Sequence, residues 1–362
     1  MRNAVDSAKP YAFLLEQENF GPGRIAEVAT IFLTNRECPW RCLMCDLWKN
    51  TLTESVQPGA IPAQIDFALS ELEGVASKSL PNSPLPALSP HPMRGEGGRR
   101  PGEGCDHLSN EAMPFANKAP LKVAGLKLYN SGSFFDPRAI PVEDYPAIAE
   151  RARQFERVIV ECHPALVSER VLRFKELLST GRADLLVGQD AQQRVPTQLE
   201  VAMGLETVHP QVLERLNKRM TLDEFARAAA FLRCHQIALR AFVLVKPPFL
   251  TEEAEALHWA RRSIDFAFDC GAAVVSLIPT RFGNGALEAL ATQGQFAPPK
   301  LATLEAALDY GLSLGRGRVF ADLWDLEKFS DCPACFPQRQ SRLHEMNLNQ
   351  CILPRAACQV CK

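Results

Sequence analysis

Apolar residues along this chain recur in two rhythms. Short, nearly continuous apolar runs occupy residues 28–34, 122–129, 157–161, 198–203, 240–245 and 273–278. Between them lie stretches with apolar residues three to four apart, at 61–76, 146–155, 168–178, 222–234 and 252–270. The first pattern predicts buried strands and the second amphipathic helices. Strict alternation of the two predicts a parallel sheet with crossover helices. Six such units fit an α/β fold, an open, partial (β/α)6 TIM-like barrel. Ile61, Ile65, Leu69 and Leu72 mark one face of the first helix, and Pro62 falls in its first turn, where a missing N–H costs nothing. Thr251, followed by Glu252 and Glu253, is the expected N-cap of a later helix. A further helix over 300–314 and a strand over 318–323 lead to a cysteine-rich end.

Two segments break the rhythm. Residues 1–27 mix charge, Pro and Gly and read as a loosely attached lead-in with a short helix around 11–17. Residues 78–118 hold so much Pro and Gly that neither period survives, and too little apolar surface to offset the entropy of ordering. They read as a disordered insertion, in which Arg99 and Arg100 belong either to a solvated linker or to a phosphate contact, and His91, Cys105 and His107 are poor ligand candidates. The expected organisation is a lead-in at 1–27, a barrel at 28–320 and a metal-binding extension at 321–362.

Composition narrows the class. Of 362 residues, 46% are hydrophobic and 23% charged, as in an ordinary soluble protein. No run is long enough to span a bilayer, and the first residues show no secretion signal, so a cytoplasmic location is expected. A net charge of −2 removes the simplest argument for nucleic-acid binding without excluding a local basic groove. Eight of the twelve cysteines cluster at the two ends of the barrel, a distribution that favours metal binding over disulfides.

The first cluster, Cys38-Pro-Trp-Arg-Cys42-Leu-Met-Cys45, follows the first strand directly. Three thiolates in so tight a loop can surround one soft metal centre. A structural zinc would want a fourth protein ligand, and no Cys or His follows within the next forty residues. The spacing resembles the signature of the radical S-adenosylmethionine (SAM) superfamily. That resemblance implies a [4Fe–4S] cluster on Cys38, Cys42 and Cys45, whose open iron binds SAM, and a flavodoxin- or ferredoxin-like electron donor. The family usually places an aromatic before its third cysteine, against the adenine; here Met44 offers a polarizable contact instead.

Ligands of parallel α/β sheets bind at the C-terminal ends of strands, so the residues after each apolar run are the next candidates. The second run ends in Asn130-Ser131-Gly132, where the family holds the SAM amino group with a Gly-rich pattern that this chain does not keep. The third ends in Glu161-Cys-His-Pro164, similar to the coproporphyrinogen-oxidase and Elongator-catalytic-subunit branch, in which such a Glu contacts SAM. His163 beside it is either a loop histidine or a catalytic one. After the fourth run, Gly204-Leu-Glu206 and Asn217-Lys218 resemble the same branch, which implies ribose contacts for Glu206 and a SAM carboxylate contact for Lys218. Lys246, at the end of the fifth, is either a SAM or substrate contact or a solvated strand-end lysine.

Together, residues 130–136, 204–207 and 244–250 resemble the subfamily of the archaeosine-synthase radical SAM subunit. The resemblance implies reductive SAM cleavage and hydrogen abstraction, with a tRNA base or its adduct as substrate. Radical chemistry on a small molecule or peptide is the alternative within the class, and a metal-stabilised nucleic-acid-binding module is the alternative outside it. No partner chain is indicated.

The second cluster is Cys332-Pro-Ala-Cys335 and Cys358-Gln-Val-Cys361, two C-x2-C knuckles 22 residues apart, with Cys351 between them. Paired knuckles provide the tetrahedral sulfur set of zinc, with an auxiliary Fe–S cluster as the rival. The intervening stretch, 339–347, reads as a helix facing either solvent or nucleic acid.

Overall fold

The computed structural model of the chain describes residues 2–78, 123–180 and 196–361. From residue 79 on, the expected insertion lies outside the described residues. Eight strands form one sheet in chain order: β1 (Ala12–Gly21), β2 (Arg24–Phe32), β3 (Gly125–Tyr129), β4 (Arg157–Glu161), β5 (Gln198–Glu206), β6 (Ala238–Val245), β7 (Val274–Pro279) and β8 (Arg318–Ala321). All neighbours are parallel except β1 and β2. The helices are α1 (Ala60–Lys78), α2 (Tyr145–Ala152), α3 (Glu169–Ser179), α4 (Pro210–Arg215), α5 (Leu222–Cys234), α6 (Glu253–Asp269), α7 (Ala286–Thr292), α8 (Leu301–Ser313) and α9 (Phe336–Asn349). The result is a mixed α/β fold with a nearly closed, eight-stranded barrel. No helix among the described residues is long and apolar enough to cross a membrane.

Two expectations need correction. The helix expected around residues 11–17 is strand β1, paired along its length with β2 through a tight turn at Gly21-Pro22-Gly23. Pairing satisfies the backbone groups of the β2 edge, a demand that local spacing cannot reveal. The N-cap of α6 is Glu252 rather than Thr251, and its side chain makes no capping bond.

Alternation along the strands divides the sheet into two chemically different faces. Ile31, Leu33, Leu126, Leu128, Val158, Val160, Val201, Met203, Ala241, Val243 and Leu277 point outward and are buried in the main core with residues of the helices. The inward face carries charge at its N-terminal half. Arg240 donates to Glu18 at 2.5 Å and to Glu200 at 2.6 Å; Lys127 bridges Glu18 at 2.5 Å and Glu16 at 2.9 Å; Arg318 reaches Glu200 at 3.4 Å. Burial works to raise the pKa of Glu18, but the Arg240 and Lys127 cations overcome it and hold the carboxyl well below the usual range. Above this floor the inward residues turn aromatic: Phe32 meets Tyr129 and Trp324 edge-on at 6.0 Å each, and Tyr129 meets Phe242 at 6.2 Å.

The barrel's open edge is covered by α9. Asn347 accepts from the Ala321 amide at 2.9 Å and donates to its carbonyl at 2.8 Å. Gln350 does the same for Val319, at 2.7 and 3.0 Å. Two side-chain amides thus stand where a ninth strand would pair. On the other edge, Asn19 of β1 donates to Leu348 O at 2.8 Å, and Arg318 donates to Asn19 O at 2.6 Å. The arginines of α9 turn inward, toward neither nucleic acid nor solvent: Arg339 pairs with Glu305 and Arg342 with Asp309 of α8.

Replacing both Asn347 and Gln350 by Ala should cost about 1–3 kcal/mol per backbone group left unpaired. Amide hydrogen exchange at Val319 and Ala321 should rise well before the rest of the barrel responds. Unchanged protection at both amides would show that the edge is sealed by something else.

Candidate functional site

The rim formed by the C-terminal ends of the strands concentrates backbone strain. Among described non-glycine residues with positive φ, Arg41, Ser131, Glu206, Asn217, Arg219, Lys246 and Phe249 all lie in the loops or strand ends there. L-residues avoid this region unless surrounding contacts over-determine them, and such residues gather where a site needs a fixed geometry.

The cysteine loop lies across this rim. Asn217 Nδ2 donates to the carbonyls of Trp40 (3.2 Å) and Arg41 (3.3 Å), and the Leu43 amide donates to Leu216 O at 2.9 Å. From the other side, Asn284 Nδ2 donates to Leu43 O at 2.6 Å, and Lys49 reaches Gly283 O. Cys38 packs on Gly132: a Cβ there would come 3.1 Å from the Cys38 Cβ. Burial pushes the Cys42 thiol up to about 11 and the Cys45 thiol to about 12, and raises Cys38 as well. Thiols so placed become thiolates when a bound metal supplies the positive charge.

Beneath the loop, Lys218 and Glu206 form a buried ion pair. Burial acts against the Lys218 ammonium, but Glu206, Cys42 and Cys38 outweigh it and raise its pKa. Gly204 makes the pair possible, because any Cβ there would collide with both charged groups. Glu161 lies next to this pair, with its carboxylate accepting from the Asn130 amide at 3.0 Å. Burial raises Glu161 to about 7, against the pull of the Asn130, Gly132 and Ser131 amides. The Asn130 side chain is fully buried and neither of its polar atoms has a partner; Thr34 Oγ1 and Asn35 Oδ1 nearby in the β2 exit are also unpartnered.

Not every expected residue converges here. Lys246 is buried against Glu253 at 2.5 Å, so it is not a solvated strand-end lysine. Met44 packs on the small apolar cluster around Leu216, Leu244 and Leu250. Sequence reasoning passed over Trp40, whose spacing carries no signal, and its stack on His163; Asn217 was noted only beside Lys218, not as the donor that holds the cysteine loop.

The tail makes a second site. Cys332 and Cys335 precede α9, Cys358 and Cys361 follow it, and the four sulfurs lie within 4.8 Å of one another, a site capable of coordinating a metal ion. Cys332 and Cys358 sulfurs are 3.9 Å apart, and those of Cys335 and Cys361 3.6 Å. Among the described residues no other set of three or more such ligands gathers so closely.

No family model matches the chain. It is 21% identical over 309 residues to an uncharacterized protein of Methanocaldococcus jannaschii, covering 83% of this chain and 68% of the relative. It is 30% identical over 196 residues to the archaeosine synthase subunit beta of Methanosarcina acetivorans, covering 53% of this chain and 51% of that protein. The solved structure of the archaeal Elp3 of Methanocaldococcus infernus superposes with a TM-score of 0.42 at 13% identity, covering 62% of this chain and 55% of Elp3.

Two expected outcomes follow from the rim. A carboxyl raised in the folded chain to about 7 contributes its full stability below its ordinary 4.5 and loses it as pH rises through 7. Glu161→Gln should therefore flatten the fall of the urea midpoint between those pH values; an unchanged slope would refute the assignment. Gly204→Ala should separate Lys218 from Glu206 and destabilise the chain by about 1–3 kcal/mol, measured by denaturant titration. By sequence, then, the chain is related at low identity to an archaeosine synthase subunit beta.

Proposed function

We propose that this chain is a radical SAM enzyme. The observation that carries the reading is the cysteine triad at the mouth of a parallel barrel, laid over the buried Lys218–Glu206 pair. The residues fit the cofactors. Three partly buried free thiols on one short loop suit a [4Fe–4S] cluster on Cys38, Cys42 and Cys45, with one iron left open. The unpartnered side-chain amide of Asn130, just past the end of β3, suits the polar groups of SAM.

A cluster held by Cys38, Cys42 and Cys45 would supply the electron for reductive cleavage of SAM to methionine and a hydrogen-abstracting 5′-deoxyadenosyl radical. The chain's own part is positioning. Ser131 and Gly132 bring backbone close to the cysteine loop, and Glu161 holds that backbone by accepting its amides. Glu206 and Lys218 offer an acceptor for ribose hydroxyls and a cation for a carboxylate. Met44 and Lys246 line this reading at its edge, as an apolar contact and as a charge that would first have to leave Glu253. The half-buried rings of Phe32, Tyr129 and Phe242 would give a substrate an apolar wall on the inward face of the barrel. A tRNA base or its adduct is the substrate in this reading, supported by the alignment with archaeosine synthase subunit beta; the electrons come from a flavodoxin- or ferredoxin-like donor. The tail quartet holds zinc, whose Zn–S distance of about 2.3 Å gives sulfur separations of about 3.8 Å in a tetrahedron.

Changing any of Cys38, Cys42 or Cys45 to Ala should remove about four irons per chain after anaerobic reconstitution and abolish SAM cleavage. A triple variant that still forms 5′-deoxyadenosine with dithionite would sink the proposal.

A further inference from the structure

Trp40 and His163 have no part in the roles assigned so far. Trp40 sits in the middle of the loop between Cys38 and Cys42. Its ring lies nearly parallel to that of His163, with centroids 3.9 Å apart and planes inclined by 9°. His163 is buried two residues beyond Glu161, and both its nitrogens are engaged. The Ala165 amide donates to Nδ1 at 3.2 Å, so Nε2 carries the proton and donates to Lys218 O at 3.0 Å. Burial, reinforced by the Lys218 ammonium, lowers the imidazole to about 4, which keeps the ring neutral and this tautomer in place.

The ring therefore grips two things at once. Its face holds the indole of the cysteine loop, and its N–H holds the backbone of the residue whose side chain pairs with Glu206. The adjoining backbone is tied the same way, since Asn217 donates to Trp40 O and Arg41 O and Leu216 accepts from the Leu43 amide. Arg41, Asn217 and Arg219 all have positive φ, so the two segments meet in conformations that neither would hold alone.

We propose that His163 is a positioning residue that sets the spacing between the cysteine loop and the Lys218–Glu206 pair, through its stack on Trp40 and its hydrogen bond to Lys218 O. It touches none of the reacting groups. Its functional meaning rests on the radical SAM reading, but the mechanical linkage does not.

The test separates ring from donor. His163→Phe keeps a ring without a donor, His163→Gln keeps a donor without a ring, and His163→Ala keeps neither. Hydrogen exchange at the Leu43 amide, read in protein without added cluster, reports the loop. The SAM dissociation constant and the change in the reduced cluster's electron paramagnetic resonance spectrum on SAM addition, read after reconstitution, report the pair. His163→Ala should exchange Leu43 about tenfold faster and bind SAM about tenfold more weakly, while the barrel's melting temperature stays near wild type. Phe should restore protection at Leu43 but not SAM affinity, and Gln the reverse. Adding Trp40→Ala to His163→Ala should change Leu43 no further. Wild-type exchange and wild-type SAM affinity in His163→Ala would overturn the proposal, as would equal effects of Phe and Gln on both readouts. If reconstituted wild-type protein binds no SAM, the radical SAM reading fails, and Leu43 exchange still decides the linkage.

Discussion

The barrel holds together around a charge cluster that is out of reach of solvent. Strands β1 and β8 form the two ends of the sheet and share no ladder. What spans the gap is Arg240, buried between Glu18 of β1 and Glu200 of β5, with Arg318 of β8 reaching both carboxylates from the far side. A buried ion pair is weak evidence of net stability, because desolvation offsets much of the attraction. Its specificity is another matter. Three acids and four bases, on six different strands, find mutual partners only in this strand order, and a misplaced strand would strand a charge in a low dielectric at a cost of about 3–5 kcal/mol.

That floor also fixes where chemistry can happen. With the N-terminal half of the interior filled by paired charges, the inward positions nearer the C-terminal rim are taken by Phe32, Tyr129 and Phe242, which stay partly exposed. The loops of this rim carry the strained residues, the unpartnered side-chain amide of Asn130 and the three thiols. The paired charges below and the over-determined loops above together hold the rim backbone in a fixed geometry.

The tail extends the same logic to the outside. α9 gives β8 the hydrogen bonds of an absent neighbour through Asn347 and Gln350, and Leu343 and Met346 seat it in the core. The cysteine quartet brackets this helix, two ligands before it and two after. Because Arg339 and Arg342 are committed to Glu305 and Asp309, the helix offers its cations to α8.

The seven parallel strands β2–β8 and most of their helices were legible in the chain itself, because a buried strand and an amphipathic helix each impose a period that survives without knowledge of neighbours. The tail cysteine quartet was legible for a similar reason: C-x2-C spacing is local. Strand β1 was not, since the residues Tyr11–Gln17 become a strand only because the β2 edge needs pairing. Glu18, Lys127, Glu200 and Arg240 gave no sign in sequence that they meet; contacts between residues up to 222 positions apart leave no period. The same holds for Trp40 on His163 and for Gly204, whose missing Cβ matters only because Lys218 folds back over it. Sequence determined which elements form and which residues could bind metal. Tertiary structure alone decided which buried charges neutralise one another, because electrostatic partnership depends on distance in space and burial, and neither is written in neighbouring residues.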